Sequence, residues 1–313
     1  MTLTNDLRAR VLSELGKIVL SREKEADLLL ISLLAGGHTL LEGVPGVSKT
    51  LLARSFSRCL GLDFGRVQFT PDMLPLDVVG GFVFNLKERE FEFRKGPVFT
   101  NILLADELNR TPPKVQSSLL EAMQERQVTV DGHTEKLPTP HMVVATQNPF
   151  EFRGVYPLPE GQIDRFMVKV SLAYPTRDAE SAIIRRNMTS MDESSITAVI
   201  SREELLDALR FVGEVKVSDE IIDYISRIAE RTRNDPRIIL GASPRAMVHL
   251  AQSSRAKAYL DGRNFVIPDD VKSLGAYVLT HRIRVAPDLA LKGEAVDPLS
   301  LVKGILDEVT PPR

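Results

Sequence analysis

The apolar positions of this chain change their period once. Leu7, Val11 and Leu15, then Ala26, Leu29, Leu30 and Leu33, recur at helical spacing and predict helices across 6–34, interrupted at 16–21 by Ile18-Val19-Leu20. From there to Pro175 the pattern is mostly short apolar runs: Thr39-Leu40-Leu41, Arg66–Phe69, Thr100–Ala105, Met142–Thr146 and Val168–Val170 read as strands. A short turn-rich helix is expected between Thr70 and Gly80. Two segments alternate instead. Phe82, Phe84 and Leu86 face Phe91 and Phe93 across Lys87-Glu88-Arg89-Glu90, and Gln127–Val130 faces His133–Leu137 across Asp131-Gly132. Both predict hairpins, the second with a tight turn. Thr111 and Pro112 are expected to open a helix whose buried stripe is Val115, Leu119, Ala122 and Met123. Beyond Pro175 the period is helical, over 178–187, 203–212, 219–232, 245–260 and 269–280, with Ser218 and Ser243-Pro244 as starts and 187–201 as a linker or loop.

Strands alternating with helices predict an α/β fold with a parallel sheet, followed by an all-α region. The expected division is a nucleotide-binding core over 1–175, linker helices over 176–217 and a helical lid over 218–313.

The candidate chemistry sits at strand ends. Gly43-Val44-Pro45-Gly46-Val47-Ser48-Lys49-Thr50 lies between a strand and a helical run opening at Leu51. Glycines let backbone N–H groups converge on phosphate oxygens, the lysine meets the β- and γ-phosphates, and the threonine hydroxyl ligates Mg²⁺. The usual glycine before the lysine is Ser48. The apolar run 102–105 ends in Asp106-Glu107, where one carboxylate can hold Mg²⁺ through water and the other can orient or deprotonate a water. Met142–Thr146 leads to Gln147-Asn148-Pro149, and Asn148 either hydrogen-bonds that water or closes a turn. Asp164 and Arg165 could simply pair on the surface.

Charge narrows the partners. Forty basic residues oppose 42 acidic ones, and dividing the chain at Pro175 leaves both parts balanced, which argues against a nucleic-acid or membrane surface. Cys59 is the only cysteine, which suits a reducing cytoplasm. The five histidines show no ligand-like spacing, and no run is long and apolar enough for a membrane span.

Five strings in order carry a resemblance: Leu-Glu-Gly-Val-Pro-Gly-Val-Ser-Lys-Thr (41–50), Leu-Leu-Ala-Asp-Glu-Leu-Asn-Arg (103–110), Leu-Leu-Glu-Ala-Met-Gln-Glu-Arg-Gln-Val (119–128), Ala-Thr-Gln-Asn-Pro (145–149) and Tyr-Pro-Leu-Pro-Glu-Gly-Gln-Ile-Asp-Arg-Phe (156–166). Together they resemble the MoxR family of AAA+ ATPases, over roughly residues 14–300. The resemblance implies a P-loop core with a five-stranded parallel sheet, a helical lid and a homo-oligomeric ring, usually of six. It implies ATP hydrolysis to ADP with Mg²⁺. Lys49 and Thr50 match the Walker A pair, Asp106 the Walker B metal aspartate, Glu107 the catalytic glutamate and Asn148 the first sensor. Arg165 matches an arginine finger acting on the neighbouring subunit, and Arg245 the second sensor on the lid. The hairpins match the helix-two insert and pre-sensor hairpin. The implied role is chaperone-like remodelling, maturation, or metal and cofactor insertion into a client, with a separate von Willebrand factor A partner. A DNA-related motor and a nucleotide-gated scaffold with little turnover are the alternatives.

Overall fold

The computed structural model describes residues 6–44, 46–149, 154–188, 195–287 and 296–312. Its centre is a five-stranded, wholly parallel sheet. The strands are β1 (Thr39–Gly43), β2 (Phe64–Gln68), β5 (Ile102–Asp106), β8 (Met142–Gln147) and β9 (Val168–Leu172). Their order across the sheet is β2-β5-β8-β1-β9. Side chains alternate across a sheet with period two, so the inner strands β1, β5 and β8 feed two cores. Leu41, Ile102, Leu104, Met142, Val144, Val168 and Val170 join one apolar cluster, while Leu40, Leu103, Ala105, Val143 and Ala145 join the other.

Helices cover both faces. The first cluster includes α1 (Leu7–Gly16), α2 (Glu23–Leu34), α3 (Lys49–Cys59) and the C-terminal helices. The second holds α4 (Pro75–Val79) and α5 (Pro113–Glu125). The buried stripe of α5 contains Val115, Leu119, Ala122 and Met123. Its start differs from expectation. Pro113 is the first helical residue, Pro112 is the cap, and the Thr111 hydroxyl is buried without capping the helix. The prior turn over Leu108–Arg110 takes Thr111 as its own end.

The two hairpins are β3 (Gly80–Asn85) with β4 (Glu90–Lys95), and β6 (Gln127–Val130) with β7 (His133–Lys136). Asp131 and Gly132 both have positive φ, as the tight turn requires. On the first hairpin Phe84 stacks edge-on against Phe91 at 5.2 Å, and both remain exposed beside Leu86, which is 82% exposed.

Then come α6 (Glu160–Ile163), α7 (Arg177–Met188), α8 (Arg202–Glu214), α9 (Asp219–Arg233), α10 (Pro244–Leu260), α11 (Pro268–Leu279) and α12 (Pro298–Glu308). The Ser218 and Ser243 hydroxyls cap α9 and α10, accepting from Ile221 and Ala246 amides. The periodicity gave no signal for α12 or for a short antiparallel pairing of β10 (Ile238–Leu240) with β11 (Arg284–Val285).

One carboxylate gathers several of the ties between the helical region and the core. Asp164 does not pair with its neighbour Arg165 on the surface, as the sequence allowed. It accepts from the Ser243 hydroxyl at 2.8 Å, meets Arg245 at 3.4 Å and Arg282 at 3.0 Å. Arg282 is buried, and its guanidinium also donates to the Asp164 and Phe166 carbonyls. Burial lowers its pKa to about 10 against the opposing pull of Asp164. Removing one partner of such a buried pair costs ~3–5 kcal/mol, because the other charge stays behind.

The entry to β1 depends on a neutral histidine. His38 Nε2–H donates to the Met123 carbonyl at 3.1 Å, and Nδ1 accepts from the Val143 amide at 2.9 Å. A second proton would cost the Val143 bond. Burial pushes the pKa of His38 down to about 3 and that of neighbouring His141 down to about 4. In the unfolded chain both titrate near ~6.5. The unfolded state therefore binds more protons below that value, so stability is full above pH ~6.5 and falls as pH drops. Urea unfolding at pH 7.5 and 5.0 should show a loss, to which His38 alone contributes about 1.4 kcal/mol per pH unit once below pH 6. Equal stability at the two pH values would contradict this reading of His38.

Candidate functional site

The carboxyl edge of the sheet gathers most of the residues singled out in the sequence. β1 ends at Gly43, and α3 begins at Lys49. Val47 is buried, while Val44 and Leu51 pack partly against the same core, so the loop is anchored on its apolar side. Pro45 lies outside the described residues. The Lys49 ammonium donates to the Gly43 carbonyl at 2.7 Å, spanning the loop. Thr50 stands in the first turn of α3, where the helix N–H groups are open and the dipole favours an anion.

Ser48 explains itself through its backbone. Gly46 has φ +85° and Ser48 has φ +66°, ψ +24°. The position calls for the left-handed conformation that glycine adopts freely and that costs other residues ~1–2 kcal/mol. Serine is small and tolerates it.

The acid pair ends β5, two strands from β1. Asp106 is buried, and its Oδ1 accepts from the Thr146 hydroxyl at 2.6 Å. Its Oδ2 accepts from Arg66 Nη2 at 2.8 Å and Nε at 3.2 Å. Thr146 also accepts from the Glu107 amide at 2.9 Å, so one hydroxyl sets both acids. Glu107 has φ +57°, a strained conformation for a residue with a long side chain. Its carboxylate accepts from Gln68 at 2.8 Å and meets Arg110 at 3.3 Å. Gln68 in turn accepts from Arg66 at 2.9 Å. Asn148 follows β8 and is buried. β8 lies between β5 and β1, so Asn148 stands between the acids and the lysine loop.

Arg66, Gln68 and Thr146 were not anticipated. Nothing within 66–69 marks it as more than a strand. The parallel register that sets Gln68 opposite Asp106 brings its polar side chains to the acids.

Arg165 and Arg245 are elsewhere. Arg165 precedes β9, at the amino edge of the sheet. It lines a cavity of about 210 Å³ with Arg245, Arg126, His249 and the Gly36–His38 segment that enters β1. The five residues of β1 separate that segment from the lysine loop, about 15 Å at ~3.3 Å per residue. The structure thus groups Gly43, Val44, Gly46–Leu51, Asp106, Glu107 and Asn148 on one edge, and Arg165 with Arg245 on the other. Burial lowers the pKa of Arg165, and the positive Arg245 adds to the effect. Its Nε is buried with no hydrogen-bond partner among the described residues. A larger cavity of about 900 Å³ lies by the β9 edge, lined by Lys24, Lys169, Tyr277 and Lys303 among others. It includes none of Lys49, Thr50, Asp106 or Glu107, so size does not locate the chemistry here.

The donor set fits Mg²⁺ and a triphosphate. A hydroxyl and a carboxylate are hard oxygen ligands, and the lysine already satisfies itself on an oxygen acceptor. Among the described residues no cluster of histidine, cysteine and carboxylates suits a transition metal, and no helix is long and apolar enough to cross a membrane.

A phosphate loop, an acid pair two strands away on the same sheet edge and a helical lid define an AAA-type nucleotide-binding protein. Residues 38–168 match the model of the ATPase family associated with various cellular activities (AAA), and residues 230–299 match the AAA lid domain. The chain is 43% identical to YeaC of Bacillus subtilis over 98% of its length and 95% of the relative's. It is 40% identical to the chaperone MoxR1 of Mycobacterium tuberculosis, over 97% and 82%. The crystal structure of a candidate ATPase from Cytophaga hutchinsonii superposes with a TM-score of 0.91 at 38% identity, covering 100% of this chain and 97% of the other. The chain belongs to the MoxR family of AAA+ ATPases.

The left-handed Ser48 makes the loop testable. Ser48→Gly should bind ATP at least as tightly as the natural chain in a fluorescent-nucleotide titration. Ser48→Val, β-branched in a left-handed position, should bind roughly 5- to 30-fold more weakly, the equivalent of ~1–2 kcal/mol. Unchanged affinity in the valine variant would mean that the loop conformation does not govern binding.

Proposed function

We propose that this protein hydrolyses ATP to ADP and phosphate in a closed homo-oligomeric ring, six-membered by its family resemblance. The observation that carries the reading is the separation of Lys49, Asp106, Glu107 and Asn148 from Arg165 and Arg245 by the length of β1. One chain holds the phosphate loop and the acids on one edge and the cations on the other. Head-to-tail packing of copies would unite them, and a rotation that closes makes a ring.

Within the joined site, Lys49 neutralises the β- and γ-phosphates, and the loop amides hold them. Thr50 and Asp106 would hold Mg²⁺, which would offset negative charge on the transferring phosphoryl group. Glu107 and Asn148 orient the water, and Glu107 takes its proton. The neighbouring copy's Arg165 and Arg245 face the charge that develops on the γ-phosphoryl oxygens. Phosphoryl transfer needs positioning and charge neutralisation above all, so these two cations gate turnover by assembly.

Residues 1–175 act as the core, 176–217 as linker helices and 218–313 as the lid, joined where Asp164 meets Ser243, Arg245 and Arg282. The chaperone naming of a relative supports remodelling or maturation of a client protein, and the single cysteine suits work in the cytoplasm. The family resemblance adds a von Willebrand factor A partner. The exposed Phe84, Leu86 and Phe91 of the first hairpin offer an apolar contact for client or partner.

Arg165→Ala should retain ATP binding and lose turnover by roughly 10³- to 10⁵-fold, the worth of an arginine finger. Lys49→Ala should lose binding. Mixing the two inactive variants should restore ATPase activity, because some interfaces then pair an intact loop with intact arginines. No recovery on mixing, with rings formed, would place the arginine's action within its own chain.

A further inference from the structure

The amino-edge cluster contains a third arginine, Arg126, which stands in the string 119–128 and has been given no role so far. Arg126 follows α5 and lines the same cavity of about 210 Å³ as Arg165 and Arg245. Its presentation is fixed by the backbone. Arg126 has φ +53°, a left-handed turn that ends α5 and points the chain into the second hairpin. Its Nη2 donates to the Gly36 carbonyl at 2.7 Å, while the side chain as a whole stays exposed. Gly36 itself has φ +70°, and a Cβ there would stand 2.8 Å from Arg126 Nη2. The left-handed backbone calls for glycine at this position.

The charge at this edge is under-compensated. Asp164 is the carboxylate that meets Arg245, and it also serves Arg282 and Ser243. Glu121 acts on Arg165 only from a distance. Like charges gathered in a small concave site repel unless an anion joins them. Buried guanidinium N–H groups without acceptors, as at Arg165 Nε, call for an oxygen ligand.

The geometry points to Arg126 as a further trans-acting residue, donating beside Arg165 and Arg245 to the phosphates of a nucleotide held on the next copy of this chain. This rests on the ring reading above. The anion is specific in kind: a triphosphate on a neighbouring phosphate loop. The Gly36 bond uses one N–H of the fork and leaves the others to face outward.

Three measurements test it. First, Arg126→Ala should assemble and, as an isolated subunit, bind ADP like the natural chain. Second, in assembled Glu107→Gln rings, adding Arg126→Ala should reduce the preference for ATP over ADP by roughly 10- to 100-fold, the worth of one hydrogen bond to a charged group. Arg126→Lys, which keeps the charge but not the fork, should recover part of that preference. Third, mixing Arg126→Ala with Lys49→Ala should restore ATPase activity. If Arg165→Ala is complemented by Lys49→Ala while Arg126→Ala is not, Arg126 acts within its own subunit and the proposal falls alone. If neither is complemented, the ring reading falls with it. An unchanged ATP preference in the Arg126→Ala rings would also overturn the proposal.

Discussion

The parallel register of β8, β1 and β9 sets what every other group can reach. Strands that run the same way put all their carboxyl ends on one edge. β1 delivers the lysine loop there, β5 delivers Asp106 and Glu107, and β8 between them delivers Asn148. The segments entering β1 and β9 must then sit at the other edge, carrying Gly36–His38 and Arg165. No side-chain rotation undoes that, because the strand between the edges is longer than an extended arginine. A single copy is therefore built with Arg165 and Arg245 on the edge away from its own phosphate loop.

The lid is positioned by the same edge. Asp164 lies just before β9 and receives Ser243, Arg245 and Arg282 from the helical region. Ser243 does two jobs, capping α10 through the Ala246 amide and bonding Asp164. The start of α10 is thereby fixed against the core, and Arg245, two residues on, is carried to the cavity with Arg165. On the proposed reading, lid placement and the trans cations are one arrangement. Disturbing Asp164 would loosen both.

Much of this was legible in the chain. The strand runs, both hairpins, the serine caps and the stripe of α5 follow from period and local chemistry, which the sheet does not override. The site at the carboxyl edge was legible because each of its residues adjoins a strand end. What local pattern could not show was pairing across distance. Arg66 and Gln68 read as ordinary strand residues until the β2–β5 register places them at Asp106 and Glu107. Asp164 and Arg165, adjacent in sequence, take different tasks: the former bonds Ser243, Arg245 and Arg282, and the latter lines the cavity beside Arg245. Thr111 looked like a cap because the short turn over Leu108–Arg110 has no sequence signal of its own. Ser48, a departure from the motif, turns out to occupy the conformation the missing glycine would have held.

The central claim is that the cations of one copy complete the site of the next. A structure of the assembled Glu107→Gln variant with ATP and Mg²⁺ tests it most directly. The account predicts the guanidiniums of Arg165 and Arg245 within hydrogen-bond distance of the nucleotide seated on the Lys49 loop of the adjacent copy. Both guanidiniums turned to their own chain's nucleotide, or left in solvent at a formed ring interface, would contradict it.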